Sequence, residues 1–184
     1  MARRSKTRLD ALVRDLGPPV SAVPWSPDFV AQTLEVLPVA MRDARLYWLK
    51  PVHASSLRAG LSAAARPADV VLDVLRWYPL EPMVVHSTSW RHEEGRVILT
   101  YVAVVTPPDA LPPDSLVELP VIRAELARGE AMAAPASIGI EAVLEHALRH
   151  LSWLVKDDPA VMRVLAAWKD VLAAFEPEPF RALA

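Results

Sequence analysis

The chain has 184 residues, 53% hydrophobic and 23% charged, the balance of an ordinary globular protein rather than a disordered one. Its formal net charge of −2 gives no field that would draw it to nucleic acid or to an anionic membrane. The absence of cysteine excludes disulfides, thiolate metal sites and cysteine nucleophiles.

Proline is the compositional outlier, with 18 residues against 5 glycines, so breaks in regular structure should be frequent. No apolar run reaches the ~20 residues of a membrane span, and no signal-peptide core opens the chain. A single domain over 1–184 in the cytoplasm is expected.

Residues 1–19 carry Leu9, Leu12, Val13 and Leu16 at helical spacing, with Gly17 and Pro18-Pro19 as a stop. Arg3, Arg4, Lys6, Arg8 and Arg14 outnumber Asp10 and Asp15, so this segment reads as a basic terminal helix or tail. Ser26-Pro27 has the form of an N-cap and first helical residue, predicting a helix through Phe29, Val30, Leu34 and Leu37 that Pro38 ends. Residues 45–52 are aromatic and apolar and predict a short strand, with Pro51 marking an edge or an exit. Pro67 should open a helix carrying Val70, Val71, Val74 and Leu75, closed by Pro79, although the β-branched residues leave a strand open.

The clearest pattern is a hairpin, 83–92 and 96–105, around Glu94-Gly95. That turn sets Glu93 opposite Arg96, Trp90 opposite Leu99, Thr88 opposite Tyr101 and His86 opposite Ala103. The second strand is apolar on both faces and should lie centrally in the sheet. Pro107-Pro108 and Pro112-Pro113 mark a stiff loop, Leu116 to Ile122 a short strand, and Gly129 to Pro135 a connection. The region 137–176 predicts a helical hairpin. Its first helix carries Ile140, Leu144, Ala147, Leu148, Leu151, Leu154 and Val155 on one stripe. The second opens at Asp158-Pro159 and turns Val161, Leu165, Trp168, Leu172 and Phe175 inward. The predicted fold is α+β, a small central sheet containing the 83–105 hairpin, packed by helices that include this C-terminal αα-hairpin.

Two constellations could carry chemistry. Polar residues crowd the first hairpin strand, His86-Ser-Thr-Ser-Trp-Arg-His92, beside an apolar partner strand. Strand alternation sets His86, Thr88, Trp90 and His92 on one face and Ser87, Ser89 and Arg91 on the other. His86, Ser87, Thr88 and Tyr101 are therefore candidate ligand-binding residues; the alternative is an edge strand whose polar face meets water. In the C-terminal helix, His146 and His150 have the i, i+4 spacing of two metal ligands. A zinc site needs a third ligand that the helix does not supply, so no metal and no cofactor are expected. Trp25, Trp48, Trp77, Trp153 and Trp168 lie in apolar settings and are read as core. No nucleophile elbow, P-loop or dinucleotide fingerprint occurs.

The order of elements from Gly60 to Val105 (helix, strand, tight turn, strand) resembles a Nudix hydrolase, over about a quarter of the chain. The family's box, G-x5-E-x7-R-E-U-x-E-E-x-G-U, holds magnesium against a diphosphate. With its glycine on Gly60, Arg66 stands where the first glutamate belongs, Val74-Leu75 at Arg-Glu and Tyr78-Pro79 at the paired glutamates. What the resemblance implies is a Nudix-like sheet without its metal site. The function expected is a non-catalytic module binding an unknown small ligand or a protein partner, with neither membrane nor nucleic acid as partner. The alternative is a hydrolase or transferase using a polar pocket beside the hairpin.

Overall fold

The computed structural model describes residues 32–62, 64–93, 95–107, 113–122 and 139–175. The expectations for residues 1–19, for the Ser26-Pro27 cap, for most of the proline-rich loop and for Gly129 to Pro135 lie outside these residues.

Among the described residues the architecture is α+β: a mixed six-stranded sheet with helices on both faces. Its strands are β1 (Gln32–Arg42), β2 (Arg45–Leu49), β3 (Leu57–Leu61), β4 (Pro82–Glu93), β5 (Arg96–Val105) and β6 (Leu116–Glu118). Their order is β4-β5-β1-β2-β6, with β3 sharing the β2 edge of β1. β1 runs parallel to β5 and antiparallel to β2 and β3.

The helix predicted to end at Pro38 is instead β1, the central strand, which runs straight through that proline. Residues 34–40 are all buried, because β1 is covered on both faces. A strand of that kind is a continuous apolar run, in which helical spacings occur by coincidence. Pro38 is tolerated because β1 pairs with β3 as far as Val36 and with β2 from Val39 onward, so the proline falls at the handover. The Asp43-Ala44 turn that joins β1 to β2 has both residues at positive φ, 50° and 55°, the conformation of a type I′ hairpin.

Pro67 opens helix α1 (Pro67–Trp77) as expected, with extended Arg66 preceding it. Its residues Val71 and Leu75 are fully buried, each burial stabilising the fold by about 1.5–3 kcal/mol. They meet Leu34, Val36, Ala40, Leu57, Ala103 and Val105 on one face of the sheet. On the other face, Leu37, Val39, Trp48, Val102 and Val104 meet helix α2 (Ile140–Asp157).

Beyond α2, the second long helix of the expected pair does not form. The chain breaks at Leu165 (φ −103°, ψ 25°), giving α3 (Pro159–Val164), a 3-10 turn, α4 (Lys169–Leu172) and another 3-10 turn. The expected stripe is nevertheless kept, since Leu165, Trp168, Leu172 and Phe175 all enter the core beneath α2. Asp158 caps α3 as its sequence position implied, accepting from the backbone N–H of Ala160 at 2.8 Å and of Val161 at 3.2 Å. Among the described residues no helix is long and apolar enough to cross a membrane.

The hairpin forms with Gly95 at φ 75°, and the pairs Glu93 with Arg96 and Trp90 with Leu99 are those expected. Beyond Ser89 a β-bulge at Thr88 shifts the register by one. Ser87, not Thr88, then faces Tyr101, and His86 faces Val102 rather than Ala103.

Candidate functional site

The bulge redistributes the four residues singled out on the hairpin. His86 turns to the α2 side, with its ring 5.6 Å from that of His150. Ser87 is exposed and lies on the α1 side with Tyr101, which packs against the apolar cluster beneath α1. Thr88 is buried at the bulge, where its hydroxyl donates to the Thr100 carbonyl. Ser87 was expected on the opposite face, but His86, Thr88 and Tyr101 were expected to share one and do not: alternation along a strand fails wherever an extra residue is inserted.

His86 gives the His146/His150 pair a third imidazole, with the rings of His146 and His150 4.6 Å apart. Among the described residues, however, no group of three histidine or carboxylate side chains has the geometry to hold a metal. All three rings are held below the ordinary histidine range, chiefly by burial. The charge of His150 adds to this for His86, and that of His146 for His150. At His146 a hydrogen bond to the Thr88 backbone works against burial, and the charge of Arg149 works with it. The three half-buried rings meet between α2 and β4.

Sequence reasoning did not anticipate Glu35, a fully buried carboxylate on β1. One oxygen accepts from Ser56 at 2.8 Å, from Arg58 Nη2 at 3.0 Å and from Arg91 Nη2 at 3.0 Å. The other accepts from Arg91 Nη1 at 2.7 Å and Thr100 at 3.2 Å. Glu93 closes the network through Arg58 at 2.6 Å and Arg91 at 2.9 Å. Burial opposes ionisation of Glu35, yet the hydrogen bonds from Arg91 and Ser56 and both guanidinium charges hold its carboxyl below the usual range. A carboxylate kept ionised by donors from Ser56, Arg58, Arg91 and Thr100 has no proton to give and no lone pair aimed at a substrate. This cluster is a structural pin across β1, β3, β4 and β5.

The arrangement best suited to a ligand lies elsewhere, between the C-terminal end of α1 and the connection from β2 to β3. There an open groove of about 540 Å³ is walled by Leu49, Leu57, Leu80 and Pro51. Lys50, His53 and Ser115 supply its polar groups, and Trp77 and Tyr78 its aromatic ones. Trp77 is 82% exposed and Tyr78 47% exposed, which corrects the reading of Trp77 as core; Trp153 is exposed as well. Trp48 and Trp168 are buried as expected. The backbone N–H of Lys50 donates to the Ser115 carbonyl at 2.8 Å, fixing the exit of β2 against the turn before β6. The volume falls within the ~300–1,000 Å³ of small-molecule sites, which combine apolar walls with a few polar groups. The signal available in the sequence was Trp77-Tyr78-Pro79, large aromatics placed just where a helix must stop.

No known family model matches this chain, and no curated protein is similar to it in sequence.

Proposed function

We propose that this chain is a non-catalytic small-ligand-binding domain, a diverged Nudix-like domain without the metal site. The observation that carries the reading is the groove, with its apolar walls and the exposed indole of Trp77 at its margin. An indole left in water at that position has a use when a ligand covers it.

The element order of the reading is supported by α1, which follows β3 and packs on the sheet, and the missing metal site by what occupies the box positions. Leu75 is buried in the core, and Tyr78 and Pro79 line the groove where the paired glutamates would fall. The acids that α1 does carry, Asp69 and Asp73, are exposed, and Asp73 is ion-paired to Arg76 at 2.7 Å.

The test is a thermal-shift and tryptophan-fluorescence screen of small apolar and amphipathic compounds. A ligand at ~100 times its Kd should add about 2.7 kcal/mol of stability. Trp77→Ala should remove that gain, and persistence of the gain in this variant would move the site elsewhere. Nucleotide sugars, dinucleotides and capped nucleotides should show no turnover with magnesium or manganese. Turnover abolished by Asp69→Asn or Asp73→Asn would overturn the non-catalytic reading.

A further inference from the structure

Resting on that reading, we infer that the groove takes an amphipathic anion: a flat aromatic body carrying one carboxylate, sulfonate or phosphate-type group. The groove's charge and shape both point there. Among the residues that line it Lys50 is the one lysine or arginine, and no aspartate or glutamate is among them. Among the described residues the Lys50 ammonium forms no ion pair, whereas Arg45, Arg58, Arg76 and Arg91 all hold carboxylates. Its backbone is anchored through Ser115, so the stem of this exposed side chain starts from a fixed point on the groove's lining. His53, also on the lining, adds an imidazole that can donate a hydrogen bond.

The apolar walls set the other half of the ligand. Leu49, Leu57 and Leu80 are buried residues whose flanks form the floor, while Trp77 and Tyr78 offer aromatic faces at the margin. Aromatic faces favour a flat partner, which stacks on them beyond what area burial alone provides. An anion placed over an apolar floor needs a fixed cation nearby, because desolvating it unpaired is costly. Lys50, on the lining, is the residue that can reach such an anion. The other polar cavity, about 290 Å³ beside Arg58 and Arg96, is less suited to an anion, since Arg58 is already engaged by Glu35 and Glu93, and Glu93 itself lines it.

The probe pair is 8-anilinonaphthalene-1-sulfonate and N-phenyl-1-naphthylamine, the same aromatic body with and without the sulfonate. Titrated into the full chain at low salt, the sulfonate should bind saturably and more tightly than the amine. Lys50→Gln should weaken the sulfonate by about fivefold, what a partly exposed ion pair is worth, and Lys50→Glu should weaken it further. Both changes should leave the amine within about twofold. Trp77→Ala should weaken both probes. 1-Naphthoate should displace the sulfonate at lower concentration than decanoate, and the reverse order would overturn the aromatic body.

If Trp77→Ala weakens both probes while the Lys50 variants change neither, the anion is overturned and the groove stands as a ligand site. Equal losses for both probes in the Lys50 variants would also overturn it, since charge would not be the cause. If neither probe binds saturably, or neither responds to Trp77→Ala, the groove reading itself falls. Lys50 and Trp77 are exposed, so circular dichroism should show each variant folded as the parent.

Discussion

Glu35 shows what one residue does in this fold. A carboxylate in the central strand would be a liability if it lacked partners, and it is tolerated because Arg58, Arg91, Ser56 and Thr100 converge on it. Glu35→Ala should therefore cost about 3 kcal/mol, by leaving Arg91 and Arg58 facing a void with the more exposed Glu93 as their remaining counter-charge. Glu93→Gln, at the solvent side of the same network, should cost less than about 1 kcal/mol. Urea unfolding of both variants tests the contrast, and equal losses would mean that the network does not centre on Glu35.

The two hairpin turns give a second pair. Gly95 stands at φ 75° with nothing within 4 Å of an added Cβ, so Gly95→Val should cost about 1–2 kcal/mol from backbone conformation alone. Ala44 holds φ 55° without being glycine, so Ala44→Gly should stabilise the fold by about 0.5–1 kcal/mol. Chemical denaturation measures both, and a loss on Ala44→Gly would show that the turn does not hold its primed geometry in solution.

Among the elements, the seam between β4 and α2 is the pH-sensitive one. His86, His146 and His150 all sit below their ordinary value of 6.5, and the charges acting on them are one another and Arg149. A histidine lowered by folding binds its proton more weakly in the folded state than in the unfolded one. Stability is then whole above the unfolded value and is lost as pH falls through it toward the folded value. The thermal midpoint should accordingly drop between about pH 7 and pH 5, and His150→Asn should flatten that drop. Glu35 and Glu93, both lowered from 4.5, act in a separate and more acidic window. A midpoint unchanged across the histidine window would mean that the three rings are more open to water than the packing of α2 implies.

At the scale of the whole molecule, one sheet holds two separate apolar cores, and the division shows which features were legible in the sequence. Helix α1, the apolar stripe of α2 and the inward set Leu165, Trp168, Leu172 and Phe175 were all readable. An amphipathic helix on a sheet face repeats every 3.6 residues whatever its partner is. The hairpin turn was readable because Gly95 and its flanking strands act within a dozen residues. β1 was not readable. A strand buried on both faces loses its alternation, and only the neighbours that bury it distinguish it from a helix.

The candidate site divides in the same way. The sequence reading places Trp77 in the core and does not single out Lys50, because which side chains stay in water is set by what packs over them, and here nothing described covers Trp77. The Thr88 bulge, invisible to a period-two pattern, separated His86 from Tyr101. By itself the sequence determined local periodicity, caps and the hairpin turn, because these depend on residues a few positions apart. The tertiary structure alone decided the buried partners of Glu35, the histidine seam and the groove, because each is assembled from strands and helices that are distant along the chain.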